Sequence, residues 1–414
     1  MSLSLADRLR PEAVHDRLRR LLRTRKPDHS LDRAFYTDPE IYAFDLQAVF
    51  NREWIFAAAA CELPEPGSFV TLTIGTSPIL VLRDRSGEVR AFFNTCRHRG
   101  FKLCDTARGR MPAVICPYHR WTYRLDGTLA AAKHMPADFD RADHGLLPVH
   151  VRLLGGTIYI CLADEPPDFA SYAADLSVQL APHALDRAKL AHEVDLVEQG
   201  NWKMVMENSR ECYHCATGHG ELMRTFLDIY DWKNPEQAAE VGAYWDKWQA
   251  GGFGPSITEG PAHRGARLPL TGTARSMTMD GNPAVACPLG AGPADAWGSL
   301  RWVHYPSTFN HALNDYAVLI RMLPLGPEQT VVTTKFLVDR DAVEGVDYTV
   351  ANLVEVWNAT NDQDKFLVER NQAGVRSEGY RPGPYSTELE AGVIKFVDWY
   401  CGRMEAFLDG GAGA

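Results

Sequence analysis

The spacing of apolar and polar positions divides the chain into three stretches. In residues 1–50, Leu18, Leu21 and Leu22 recur at three- and four-residue intervals, and EIYAFDLQAVFNREW (40–54) continues the pattern. That period predicts helices with one apolar face. Between 51 and 165 the period shortens to β-branched and aromatic runs: GSFVTLTIG, SPILVLRD, EVRAFFNTC, AVICPYH and GGTIYICLAD. Ser86-Gly87 and Asp126-Gly127 separate such runs as hairpin signals. Evenly spaced strands without helical periodicity between them predict a small antiparallel domain, and ADEPPDF (163–169) reads as its boundary.

The third stretch, 166–414, mixes both periods. Residues 201–216, 346–372 and 388–408 predict helices, whereas SLRWVHYPS, YAVLIRMLPL and TVVTTKFLV predict strands of one sheet. The Gly-, Pro- and Ala-rich segment 250–296 reads as a long loop over a site. The expected class is α+β. A helical N-terminal segment (1–50) packs on a helix-on-antiparallel-sheet domain (166–414), with an antiparallel β domain (51–165) between them.

Composition narrows the function classes. With 45% hydrophobic and 23% charged residues the chain reads as an ordinary globular protein, and no run approaches a membrane span. Its balance of 43 basic against 53 acidic residues disfavours a nucleic-acid partner. Nine scattered cysteines fit a reducing compartment better than a disulfide framework. The arginine-rich start could be a transit peptide, but Asp7, Glu12 and Asp16 interrupt it. It therefore reads as an amphipathic docking helix, and the expected location is the cytoplasm.

Two clusters of metal-ligating residue types stand out. In the β stretch, Cys96 and His98 form C-x-H, and Cys116 and His119 form C-x2-H. Two thiolates and two imidazoles suit tetrahedral zinc. They equally suit a [2Fe–2S] cluster with two Cys on one iron and two His on the other. The one-residue spacing in C-x-H, the stiffening Pro117, and the surrounding Arg97, Arg99, Arg120 and Trp121 favour the cluster.

The second cluster lies in NWKMVMENSRECYHCATGHGE (201–221), with Glu211, His214 and His219. On an ideal helix Glu211 and His214 lie about 60° apart, but His214 and His219 lie about 140° apart. Both histidines can face one point only with a π-turn or a break at Thr217-Gly218. Cys212 and Cys215, three apart, read as small buried side chains rather than as a redox or metal pair.

NTCRHRG and CPYHRWTYRLDG resemble the cluster loops of the Rieske non-haem iron oxygenases, except that Arg120 stands where many members have Gly. The resemblance runs through essentially the whole chain. It implies an antiparallel β Rieske [2Fe–2S] domain and a catalytic domain with one mononuclear Fe(II) and O2 as co-substrate. It implies that His214, His219 and, from QDKFLVERNQAGVRS, Asp364 hold that iron as a facial triad. Asp362 is the confusable neighbour, about 160° away on a helix. Asn201, from the NWK run, and Glu211 carry over as catalytic residues. Glu211 would bridge one subunit's cluster histidine to the next subunit's iron ligand, in an assembly that is usually a trimer.

ENSRECYHC (207–215), LRWVHYPSTFNHALNDYAVLIRMLPLGP (300–327) and ATNDQDKFLVERNQAGV (359–375) resemble the subgroup acting on quaternary ammonium compounds. This implies N-demethylation, with glycine betaine as the lead substrate and dimethylglycine and formaldehyde as products. Aromatic faces hold such cations; Trp297, Trp302, Tyr305 and Phe309 are the expected lining, with His304 for a substrate carboxylate. Strand alternation puts Trp302 and His304 on one face and Tyr305 on the other, unless the strand bends at Pro306. No Gly-rich nucleotide loop follows a strand, so electrons from NADH or NADPH must arrive through a separate flavin- and ferredoxin-type reductase. The alternatives are an oxygenase acting on an aromatic acid, which needs an apolar slot, and an electron carrier or zinc-stabilised binding module without a second metal.

Overall fold

Turns at the two hairpin signals fold the middle stretch. A computed structural model of the chain describes residues 14–227, 235–290 and 297–410; Asp7, Glu12 and residues 291–296 of the expected loop lie outside these. Ten strands occupy the middle stretch: β1 (Ile55–Ala59), β2 (Ser68–Ile74), β3 (Ser77–Arg83), β4 (Val89–Phe93), β5 (Arg108–Arg110), β6 (Val114–Ile115), β7 (Thr122–Tyr123), β8 (Leu129–Ala131), β9 (Pro148–Leu154) and β10 (Thr157–Cys161). Seven form a sheet in the order β1-β10-β9-β4-β3-β2-β5, and β6-β7-β8 form a small second sheet. Every pairing is antiparallel. Gly87 turns β3 into β4 and Gly127 turns β7 into β8, at φ of 91° and 88°, where a Cβ is strained. A Cβ on Gly127 would also lie 2.4 Å from the Phe92 ring, so glycine lets the small sheet close against β4.

The third stretch builds one seven-stranded sheet from β11 (Ala188–Glu198), β12 (Ile257–Glu259), β13 (His263–Leu268), β14 (Ser299–His304), β15 (Thr308–Ala312), β16 (Ala317–Gly326) and β17 (Gln329–Asp339). Its order is β11-β17-β16-β15-β14-β13-β12. Strands β12 and β13 correct the reading of 250–296 as a loop. HRGARL hides its alternation because both faces carry an arginine: Arg264 faces a cavity, whereas Arg267 is buried behind it, donating to the carbonyls of Trp297 and Gln179 at 3.0 Å each.

Helices cover both faces. The described ones are α1 (Val14–Thr24), α2 (Pro39–Asp45), α3 (Ala170–Leu180), α4 (Trp202–Ser209), α5 (Cys215–Gly218), α6 (Pro235–Ala250), α7 (Val350–Val375) and α8 (Ala391–Leu408), besides short turns. Thr349 caps α7, its hydroxyl accepting from Asn352 N. Behind the sheet, Trp302, Leu319 and Leu337 share an apolar cluster with Trp54 and Tyr159 of the β domain and Tyr172 of α3.

The N-terminal segment lies against α8, through Arg25–Asp398 at 2.8 Å and Arg19 donating to the Leu408 carbonyl at 2.5 Å. It is also tied to α4. Asp45 is fully buried and accepts from Lys203 Nζ, from Trp202 Nε1 at 3.0 Å and from Tyr400 Oη at 2.7 Å. Removing one partner of such a buried pair costs about 3–5 kcal/mol. The NWK run therefore fixes the helix that leads into the histidine segment. No helix among the described residues is long and apolar enough to cross a membrane.

Candidate metal centres and substrate cavity

Two loops of like construction present the first ligand set. One closes with Gly100 N donating to Cys96 O at 3.0 Å, the other with Arg120 N donating to Cys116 O at 3.0 Å. The closing residue is left-handed in both, with φ of 73° at Gly100 and 62° at Arg120. Glycine adopts this freely, whereas a Cβ costs about 1–2 kcal/mol, so the departure at Arg120 is a strained position. Cys96 and Cys116 are buried, while the His98 and His119 rings sit toward solvent with centroids 4.6 Å apart. His98 stacks on Trp121 at 4.9 Å, and its Nδ1 is buried without a hydrogen-bond partner among the described residues.

Burial, with Cys96 beside it, pushes the Cys116 thiol up, a cost that bound metal removes by stabilising thiolate. Tyr123 Oη lies 3.3 Å from Cys96 Sγ and accepts from Arg97 N at 3.0 Å. Either atom of that pair can donate while Cys96 is a thiol; once it is a thiolate, as metal binding requires, the tyrosine hydroxyl is the donor. An orphaned imidazole nitrogen, two sulfurs in a dry floor and a donor aimed at one of them fit a [2Fe–2S] cluster.

The second set forms where the predicted helix breaks. Helix α4 stops at Ser209, and α5 runs only from Cys215 to Gly218. His214 flanks its start and His219 leaves its end with φ −124° and ψ 73°. The two breaks bring His214 Nε2 and His219 Nε2 to 3.0 Å. Asp364 Oδ1, from α7, lies 3.4 Å from the first and 3.1 Å from the second, while Asp362 is exposed.

Each ring's other nitrogen is engaged: His214 Nδ1 donates to Glu211 Oε1 at 2.6 Å and His219 Nδ1 to Gln363 Oε1 at 2.9 Å. Gln363 in turn donates to Glu221 at 2.7 Å. Since Glu211 and Gln363 offer oxygens to these contacts, the neutral rings turn both Nε2 lone pairs inward. Burial pulls His214 down, but Asp364 and Glu211 outweigh it and raise the ring to about 9, so the carboxylates favour positive charge here and a bound metal would take the place of that proton. Two lone pairs and a carboxylate converging within 3.4 Å call for a cation, and N2O donors suit Fe(II).

Cys212 and Cys215 correct another expectation. Because this segment is not one continuous helix, they are joined as a disulfide, with Cα atoms 4.9 Å apart. Asn201, expected to be catalytic, is the buried N-cap of α4. Its Oδ1 accepts from Lys203 N at 3.0 Å and its Nδ2 donates to Pro327 O at 2.6 Å. Its place is structural, one helix away from the ligands it helps to position.

A cavity of about 450 Å³ opens from the histidines, between α7 and the sheet. Its aromatic wall is Phe226, Phe309, His311 and Trp357, with His311 centred 5.6 Å from Phe309 and 4.6 Å from Trp357. Phe309 was an expected lining residue; Trp302 borders the cavity, but its ring packs in the cluster behind the sheet.

The other three lie elsewhere. His304 sits 4.5 Å from Tyr172 and is pushed down to about 3 by burial and His263, so it is neutral and unsuited to a carboxylate. Tyr305 packs on Phe396 and Trp399, and Trp297 on Phe253 and His183. Trp357 could have been found from Asp364, since seven residues along a helix return to nearly the same face. His311 follows Phe309 by two on a strand and so shares its face.

The catalytic-domain model for ring hydroxylating alpha subunits matches residues 185–406, and the Rieske [2Fe-2S] domain model matches 53–150. The chain belongs to this family, the Rieske non-haem iron oxygenases, whose cofactors are a [2Fe–2S] cluster and a mononuclear iron and whose co-substrate is O2. It is 45% identical over 407 residues to the glycine betaine monooxygenase oxygenase subunit of Chromohalobacter salexigens, covering 96% of this chain and 91% of that one. To the subunit of that name from Pseudomonas aeruginosa strain UCBPP-PA14 it is 43% identical over 411 residues, covering 97% and 95%. A crystal structure of the quaternary ammonium Rieske monooxygenase CntA shares the fold, with a TM-score of 0.73 at 22% identity over 93% of this chain and 98% of that one.

Proposed function

We propose that the chain is the oxygenase component of a monooxygenase that N-demethylates a quaternary ammonium compound, foremost glycine betaine, to dimethylglycine and formaldehyde. Cys96, His98, Cys116 and His119 hold the cluster; His214, His219 and Asp364 hold the iron. The observation that carries this reading is the aromatic wall of Phe309, His311 and Trp357 in the cavity that His214, His219 and Asp364 line, beside Phe226, over whose ring Arg301 already lies. Aromatic faces attract a desolvated trimethylammonium by about 2 kcal/mol or more. The near full-length likeness to two glycine betaine subunits supports the same substrate. The cations Arg210, Arg264, Arg301 and Lys395 in the same cavity suit the carboxylate of a betaine and of an aromatic acid alike, so the products separate the two readings.

Held by His214, His219 and Asp364, Fe(II) would supply O2 activation for hydroxylation of an N-methyl C–H bond; with two electrons and two protons from the reductase and solvent, the resulting carbinolamine would release formaldehyde and dimethylglycine. The protein's part is placement. Glu211 fixes the tautomer and direction of His214 and Gln363 those of His219, while the cavity wall holds the cation with its methyl groups toward these nitrogens.

Electrons come from NAD(P)H through a separate flavin- and ferredoxin-type reductase. Among the described residues, no hydrogen bond or ring contact joins His98 or His119 to Glu211 or His214. In our reading transfer runs between subunits of a ring, a homotrimer working in the cytoplasm. The test is formaldehyde release by iron-loaded protein with a surrogate reductase across N-methyl compounds and aromatic acids. Formaldehyde from glycine betaine supports the assignment; a hydroxylated ring product with no formaldehyde refutes it.

A further inference from the structure

Four cationic side chains line the cavity, and two of them are already held. Arg301 donates to Leu227 O at 3.1 Å and lies 3.5 Å over the Phe226 ring, and Lys395 pairs with Glu259 at 2.5 Å. Arg210, just beyond α4, and Arg264, on β13, differ: among the described residues neither guanidinium makes a hydrogen bond or an ion pair, and the Nε of each is buried without a partner. Arg210 lies over the Tyr305 ring, 5.8 Å from its centroid.

Strand geometry aims Arg264 into the cavity. Arg264, Ala266 and Leu268 line it, while the alternate His263 and Arg267 bond to α3, through Asp175 and Gln179. Arg264 pairs across the sheet with Val303, and Val303 with Phe309, so the cation and the aromatic wall share one row of the same face. Burial, and then the charge of Arg210, hold Arg264 below its ordinary value, with Glu259 opposing them. Two guanidiniums that disfavour each other, in a cavity that has taken their water, are complementary to an anion with two acceptor oxygens.

Resting on the reaction proposed above, we propose that Arg210 and Arg264 bind the carboxylate of the substrate and select quaternary ammonium acids over neutral or hydroxyl-bearing relatives. The aromatic wall takes the trimethylammonium end and the arginines the other. His304 is thereby replaced in the role the sequence suggested for it.

The test compares glycine betaine with its carboxamide, which keeps the trimethylammonium and lacks the carboxylate charge, by calorimetry on iron-loaded protein and by KM for formaldehyde release. Wild-type protein is expected to prefer glycine betaine roughly 10- to 100-fold, the range of a charge-assisted carboxylate contact. Arg264→Gln and Arg210→Gln should each collapse that preference to within about threefold while leaving iron and sulfide content unchanged. Arg264→Lys should recover part of it, which a mere folding defect would not. A wild-type preference near one, or a preference surviving both glutamine substitutions, overturns the assignment. If no N-methyl compound is turned over, the reaction proposal fails, and the calorimetric ratio still decides the arginines.

Discussion

His214 and His219 present the same atom to each other, Nε2 to Nε2 at 3.0 Å, because each ring's Nδ1 is held by a different oxygen. Glu211 does this from three residues away. Gln363 does it from α7, beside Asp364, so one helix supplies both a ligand and the group that orients another. Partners of this kind typically change metal affinity 10- to 100-fold. Gln363→Ala should therefore weaken Fe(II) binding by roughly that factor and leave the visible absorbance of the cluster intact. Ferrous titration of protein stripped of its mononuclear iron checks this; unchanged affinity would remove Gln363 from the site.

Asp364 and Asp362 separate cleanly in the structure, one between the two histidines and the other exposed. With both centres filled the protein should carry about three irons per two sulfides. Asp364→Ala should fall to about two per two, and Asp362→Ala should stay near three. Iron and acid-labile sulfide analysis reads the difference.

Tyr123 directs its hydroxyl at Cys96 Sγ from 3.3 Å. Hydrogen bonds to cluster sulfurs stabilise the reduced, more negative state. Tyr123→Phe should shift the midpoint to a more negative value without losing the cluster, as a spectroscopic redox titration would show. An unmoved midpoint would mean that the hydroxyl serves only Arg97 N.

Arg120 is left-handed at φ 62°. Arg120→Gly should keep the cluster and equal or exceed the wild type in stability. Arg120→Val, β-branched at positive φ, should lose about 1–2 kcal/mol and much of its cluster on heating. Melting curves followed at the cluster absorbance distinguish the two; equal melting would show that the loop relaxes.

Glu207 accepts from Tyr36 Oη at 2.8 Å and from Tyr385 Oη at 3.1 Å, and burial raises its carboxyl from 4.5 to about 7. A raised carboxyl pKa means that the folded state keeps a proton the unfolded state has lost, so this group's contribution declines as pH rises from about 4.5 through about 7. Glu207→Gln should therefore gain on the wild type between pH 5 and pH 8. The difference in Tm between variant and wild type, measured at both values, should be larger at pH 8.

How much of this was legible depended on how local each feature is. Cys96 with His98 and Cys116 with His119 are each set by one tight loop, so spacing alone exposed them. His214 and His219 needed a broken helix, and the sequence located the need but not the second break, between Ser209 and Cys215. The cavity wall was mostly illegible. Trp297, Trp302, His304 and Tyr305 are close along the chain, yet the pleat, the strand end and a neighbouring helix send them to different places. Phe226, His311 and Trp357 come from three elements that only packing brings together. Strand β13 was missed because Gly265 and two arginines interrupt the apolar pattern that marks a strand, and β12 because three residues are too few to show a period. Arg264 belongs to that missed strand, so the charged end of the cavity was hidden with it.

N-demethylation is read from a product balance. Iron-loaded protein, a surrogate reductase, NADH and glycine betaine should yield formaldehyde and dimethylglycine in equal amounts for each O2 consumed, and Asp364→Ala should yield neither. O2 consumption without either product, or turnover that survives Asp364→Ala, would contradict the account.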